Sequence, residues 1–169
     1  MPKKHLVDKT VIDSVAVVHS LAGGEGKWVL LVTILGSGMA FIDSTAMNVV
    51  LPVLQLELDA TIPQMQWIVE AYAIFMSSLM LLGGALGDKF GRRCMFAVGV
   101  VVFSLASIWC GVAPSTGHLI VARAFQGVGG ALLVPGSLAI VNVSFSAKER
   151  GRAIGSWSAF TAITSALGP

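Results

Sequence analysis

Asp43, Glu70 and Arg123 are the ionisable side chains that interrupt the long apolar runs of this 169-residue chain, and the chemistry they offer is that of the proton. A guanidinium nearby favours the charged form of a carboxylate, whereas apolar surroundings favour its neutral form. A movement that makes or breaks such a pairing therefore releases or takes up a proton. Each of these residues costs at least ~2.5–3.5 kcal/mol at the centre of a membrane helix. Such side chains face a bundle interior or a water-filled cavity and mark pathways or proton relays. Asp43, Arg123 and Glu70 are accordingly the candidates for proton coupling. A static ion pair that fixes helix packing is the alternative for Asp43 and Arg123. Glu70, close to the interface, has simple exposure to water as its alternative.

The elements that must position these residues follow from composition. Hydrophobic residues make up 55% and charged residues 12% of the chain, and the mean hydropathy is +0.83. A soluble domain carries roughly 25% charged residues, so the bilayer is the expected solvent. Crossing ~30 Å of hydrocarbon takes about 20 apolar residues in a helix. Five segments match, at about 28–53, 66–86, 94–112, 118–143 and 151–169, the fifth cut off by the end of the sequence. The expected fold is an all-α membrane protein with five transmembrane helices, the fifth truncated. Residues 1–27 read as a tail and 28–169 as a partial bundle.

Lys and Arg placement orients the bundle, because cytoplasmic loops are enriched in both. Lys3, Lys4, Lys9 and Lys27 precede the first segment, Lys89, Arg92 and Arg93 follow the second, and Lys148, Arg150 and Arg152 follow the fourth. The other two loops, around Asp59 and Pro114, hold neither residue type. The expected N-terminus is cytoplasmic, and the tail lacks the pattern of a signal peptide. At ~1.5 Å per residue, Glu70 and Arg123 lie at similar depth in the outer half, with Asp43 somewhat deeper. Trp28, Trp67 and Trp109 fall near helix ends as interfacial anchors. Small residues recur four apart at Gly36/Ala40, Gly83/Gly87, Gly87/Gly91 and Gly151/Gly155, a spacing that lets helix backbones approach closely in lipid.

Other residue types carry less. Cys94 and Cys110 on one helix would lie ~24 Å apart, too far for a disulfide, and both read as small buried hydrophobes. His5, His19 and His118 are scattered, and no Cys/His group has metal-ligand spacing. No nucleophile–base pair or phosphate-cradling loop is visible, and Gly127-Val128-Gly129-Gly130 lies within a membrane segment rather than after a strand. No enzyme activity and no metal or other cofactor is expected from these motifs, and no nucleic-acid partner is expected. Phe41, Met47, Phe75, Met76 and Trp157 would line a cavity or face lipid.

Residues 84–93 form a glycine-punctuated charged turn between two apolar segments. In Gly84, Leu86, Asp88, Gly91, Arg92 and Arg93, with Gly87 and Lys89 as variants, it resembles motif A of the major facilitator superfamily. Leu119-x-x-x-Arg123-x-x-Gln126-Gly127-x-Gly129-Gly130-Ala131 resembles motif B of that family, and Asp43-x-Thr45-x-x-Asn48-x-x-Leu51-Pro52 resembles a signature of its fourteen-helix drug:proton antiporters. Gly155, Thr164, Gly168 and Pro169 resemble the opening of motif C, with Thr164 where glycine is usual and the motif's two further glycines due after Pro169. The resemblance covers roughly residues 41–169. It implies a gating latch at Gly84, Asp88, Gly91, Arg92 and Arg93 and a proton-transfer role for Arg123. Gln126, Gly127, Gly155, Gly168 and Pro169 would be the helix-motif positions.

The function so implied is secondary transport: proton-coupled export of drugs or other lipophilic or cationic compounds by alternating access. The partners would be a small-molecule substrate, protons and the lipid bilayer, in a cell (inner or plasma) membrane. A major facilitator transporter of a specific metabolite, sugar or ion is the first alternative, and a small non-transporting membrane protein the second. A substrate site between two six-helix halves exceeds what five helices supply, so the chain reads as a fragment that would not transport alone.

Overall fold

Long apolar stretches bounded by capping and turn residues fold into five helices in the computed structural model, which describes residues 23–167. They are α1 (Gly24–Glu57), α2 (Ile62–Phe90), α3 (Arg92–Gly111), α4 (Thr116–Ser144) and α5 (Ala147–Leu167). Four of them, α1 to α4, are long and apolar enough to cross a membrane. The first six residues of α5 include Lys148, Glu149, Arg150 and Arg152, and the rest is rich in Ser, Thr and Ala. Residues 1–22, Gly168 and Pro169 lie outside the described residues, and with them His5, His19, most of the expected tail and the end of motif C.

The helices run past the apolar segments that mark them. Hydropathy registers the hydrocarbon zone, while helical hydrogen bonding continues through polar residues to a cap. The last residues of the expected tail, 24–27, thus lie in α1. At the start of α2, the Thr61 backbone N–H donates to Gln64 Oε1 at 2.9 Å, half of a capping box. The charged turn expected over residues 84–93 is almost wholly helical. Gly91, with φ +97°, is the one residue between α2 and α3. That backbone region disfavours any side chain, which is why two helices can be joined by this single residue.

Sequence neighbours are not the main packing neighbours. α4 sits centrally, packed closely against α2 and α3 and also against α1, while α5 packs chiefly on α1. The close approaches use glycine. A Cβ at Gly127 would lie 2.6 Å from the Tyr72 carbonyl oxygen, and one at Gly129 would lie 2.7 Å from the Phe103 nitrogen. Gly83 packs against the Ala131 backbone and Gly36 under the Phe96 ring. Gly151 and Gly155, which share the four-residue spacing, have nothing within 4 Å. Their expected role as a packing pair is not seen among the described residues, because the face of α5 that carries them points outward, while Ala153 between them is buried.

The inside of the bundle mixes small and polar residues with large apolar ones such as Phe96, Phe103 and Leu133, and its outside is apolar. Thr33, Ser37, Ala40, Ala122, Gln126 and Ser137 are buried, while Leu35, Leu81, Val101, Leu105 and Ile108 are exposed. Lipid offers large side chains as good an environment as a protein core does, so association rests on close packing of small residues and on internal hydrogen bonds.

Candidate functional site

α1 and α4 bring Asp43 and Arg123 face to face. Arg123 Nη1 donates to Asp43 Oδ2, forming a salt bridge in which the Arg123 side chain is 1% exposed and that of Asp43 20% exposed. The remaining guanidinium contacts come from two helices. Nε donates to the Ile68 carbonyl on α2 at 3.2 Å, and Nη1 also donates to Gln126 Oε1, one turn along α4, at 2.8 Å. The Tyr72 ring lies 4.5 Å from the guanidinium carbon, in cation–π contact.

Gln126 completes the site. Its Nε2 donates to Asp43 Oδ1 at 2.9 Å and to Ser107 Oγ on α3 at 2.8 Å. Its Oε1 accepts from the Cys110 thiol at 3.2 Å as well as from Arg123. Both donors and both acceptor positions of the amide are thus in use. Four helices meet here: α1 through Asp43, α2 through Ile68 and Tyr72, α3 through Ser107 and Cys110, and α4 through Arg123 and Gln126. Among the described residues, every buried side-chain nitrogen and oxygen has a partner, as a low-dielectric interior requires.

The other sequence candidates lie apart. Glu70 is exposed on α2 and takes no part in the cluster. At the far end of α2, Arg92 donates to Asp88 Oδ1 from Nε at 3.0 Å and from Nη2 at 2.8 Å. Arg92 Nη1 reaches the Ala139 carbonyl on α4 at 3.3 Å. Arg93 is exposed and lines a groove between α1 and α3 beside Trp28. Gly84 is open, Gly127 seats α4 against α2, and Gly155 faces outward.

Sequence reading missed Tyr72, Ser107 and the polar role of Cys110. The available signal was modest: Tyr72 is the only tyrosine of the chain, one helical turn from Ile68, and Ser107 is a hydroxyl in an otherwise apolar run. Trp157 also differs from expectation. It is buried, and its indole N–H donates to Ser37 Oγ on α1 at 3.0 Å, so it ties α5 to α1 instead of lining a cavity or facing lipid.

A helical bundle with an apolar exterior, and a salt bridge inside it embedded in a polar cluster drawn from four helices, defines an integral, multi-pass membrane protein. The family model of the Major Facilitator Superfamily matches residues 33–169, and the chain belongs to that family, a family of transporters rather than enzymes. Three curated relatives illustrate the likeness. The puromycin resistance protein pur8 of Streptomyces alboniger is 41% identical over 83% of this chain and 28% of its own length. The multidrug resistance protein Stp of Mycobacterium tuberculosis (strain CDC 1551 / Oshkosh) is 40% identical over 83% of this chain and 26% of its own. The riboflavin transporter RibZ of Clostridioides difficile (strain 630) is 34% identical over 85% of this chain and 32% of its own. The chain therefore spans only between a quarter and a third of the length of these relatives.

Proposed function

We propose that the chain is the N-terminal helix bundle of a proton-coupled exporter of drug-like, lipophilic or cationic compounds that works by alternating access. The observation that carries the coupling is the asymmetry of the Asp43–Arg123 pair, a buried cation facing a carboxylate that keeps partial exposure. A proton arriving from the open side meets Asp43. Its neutralisation ends the ion pair with Arg123 and leaves the bond from Gln126 without a charged partner, and charge-assisted bonds are roughly twice as strong as neutral ones. The contact between α1 and α4 weakens, and the helices are freed to shift. Loss of the proton restores it. The drug-like substrate is supported by the resistance proteins among the relatives.

In this reading the N-terminus is cytoplasmic, residues preceding α1 form a tail on that side, and the protein resides in a cell membrane. Asp88 and Arg92, with Gly84, Gly91 and Arg93 around them, act as a latch between α2, α3 and α4. Glu70, exposed on α2, is a second carboxylate for protons or cationic substrate. Gln126 and Gly127 hold the pair and its helix in place, and Gly155, Gly168 and Pro169 belong to the antiporter motif of the fifth helix.

The test is efflux from proteoliposomes carrying the full-length protein under an imposed pH gradient. Asp43→Asn and Arg123→Gln should each abolish gradient-driven efflux while facilitated exchange of substrate persists. Unchanged gradient-driven efflux in both variants would sink the coupling role. A second reading, transport of one particular metabolite, is favoured by the likeness to a riboflavin transporter. It would show as competition by that metabolite alone and none by a panel of lipophilic cations.

A further inference from the structure

Arg123 keeps its positive charge whatever Asp43 does, so the question the site poses is what holds a buried guanidinium once its counter-ion is neutral. A buried charge left without compensation strongly destabilises a fold. Three partners of Arg123 carry no net charge to lose: the Ile68 carbonyl, Gln126 Oε1 and the face of the Tyr72 ring. The ring is distinctive among them. The guanidinium carbon lies over its face, 4.5 Å from the centroid, so the ring meets the cation without a hydrogen bond, and a desolvated cation–π contact is stronger than an exposed one.

Tyr72 is also fixed from several sides. It is 6% exposed, and its hydroxyl donates to the Ala40 carbonyl on α1 at 3.3 Å. Gly127 lets the α2 backbone approach α4, since a Cβ there would lie 2.6 Å from the Tyr72 carbonyl oxygen, and a Cβ at Gly130 would lie 3.4 Å from the Tyr72 hydroxyl. The glycines of α4 thus provide the space that seats this ring beside Arg123. Among the described residues, the charged or titratable groups facing Asp43 are Arg123 from α4, Tyr72 from α2 and, through Gln126, Cys110 from α3.

We infer that Tyr72 is a positioning residue that retains Arg123 in place when Asp43 is neutral, so that the proton changes the bond to α1 without releasing the guanidinium from α2 and α4. The inference rests on the proton-coupled reading for its purpose, but its test needs no transport. Thermal unfolding of the detergent-solubilised full-length protein is measured for Tyr72→Leu and Tyr72→Phe, each with Asp43 intact and with Asp43→Asn as the stand-in for the protonated carboxyl. Tyr72→Leu should lower the melting midpoint by about 3 °C more in the Asp43→Asn background than with Asp43 intact. Tyr72→Phe, which keeps the ring, should cost the same in both. If Tyr72→Leu does not accumulate, Tyr72→Met, unbranched and flexible but without a ring, makes the same comparison. Equal costs in the two backgrounds, or Tyr72→Phe behaving like the ringless variants, would overturn the inference. Failure of the efflux experiment with a preserved coupling in melting would instead overturn only the proton-coupled reading.

Discussion

Ser37 on α1 and Trp157 on α5 meet in a buried hydrogen bond in which the hydroxyl both receives and gives. Its oxygen accepts from the indole N–H at 3.0 Å and its proton goes to the Thr33 carbonyl at 2.7 Å. The two sides of the bond are therefore unequal. Ser37→Ala leaves the indole N–H without a partner, and a buried unsatisfied donor costs about 1–3 kcal/mol. Side-chain hydrogen bonds inside membranes average about 0.6 kcal/mol, which puts the expected loss near the lower bound, about 1 kcal/mol. Trp157→Phe leaves Ser37 still bonded to Thr33 and removes ring volume instead. Thermal unfolding in detergent should show Ser37→Ala destabilised, and Ser37→Ala with Trp157→Phe should cost less than the sum of the two single changes.

A glycine of α4 and one of α5 should respond in opposite ways to an added methyl group. Gly127→Ala drives a Cβ to 2.6 Å from the Tyr72 carbonyl oxygen and 2.9 Å from the Phe75 Cβ, and neither backbone can yield freely. Overpacking of this kind costs about 1–3 kcal/mol. Gly155→Ala enters open space and gains up to about 1 kcal/mol of helix propensity. Melting midpoints of the two variants on either side of the parent would confirm the contrast, and equal midpoints would contradict it.

Asp88→Asn should separate stability from gating. Asp88 is 66% exposed and Arg92 35% exposed, and exposed pairs contribute only about 0.2–1 kcal/mol. The melting midpoint should hardly move. Transport by the full-length protein should fall severalfold if the Asp88–Arg92 contact is the latch, and a variant with parental transport rates would remove that role from it.

Much of the architecture is legible in one sequence, because hydrocarbon thickness sets helix length and Lys/Arg placement marks alternate loops. Helix ends are less so: Thr61, Gln64 and Gly91 fix them through hydrogen bonds and backbone angle, which hydropathy does not register. Depth along the helices left both Asp43 and Glu70 as candidate partners for Arg123. The choice of Asp43 depends on α4 lying centrally against α1 as well as α2, and no local pattern encodes that neighbour order. Tyr72, Ser107 and Cys110 escaped for the same reason, since each becomes polar machinery only by meeting Arg123 or Gln126 from another helix. Gly151 and Gly155 show the converse, a packing motif by spacing that has nothing to pack against among the described residues.

The junction between α2 and α3 has one further consequence. With a single non-helical residue between them, any change in the angle between the two helices has to be taken up at Gly91, because a planar peptide chain has only two soft dihedrals per residue. Arg92 comes next in sequence and holds both Asp88 on the preceding helix and the Ala139 carbonyl on α4. The junction behaves as a ball joint with its own strut: α3 can swing relative to α2 only if that strut lengthens, turns or lets go, so a rotation of whole helices is converted at Arg92 into the breaking of a few hydrogen bonds.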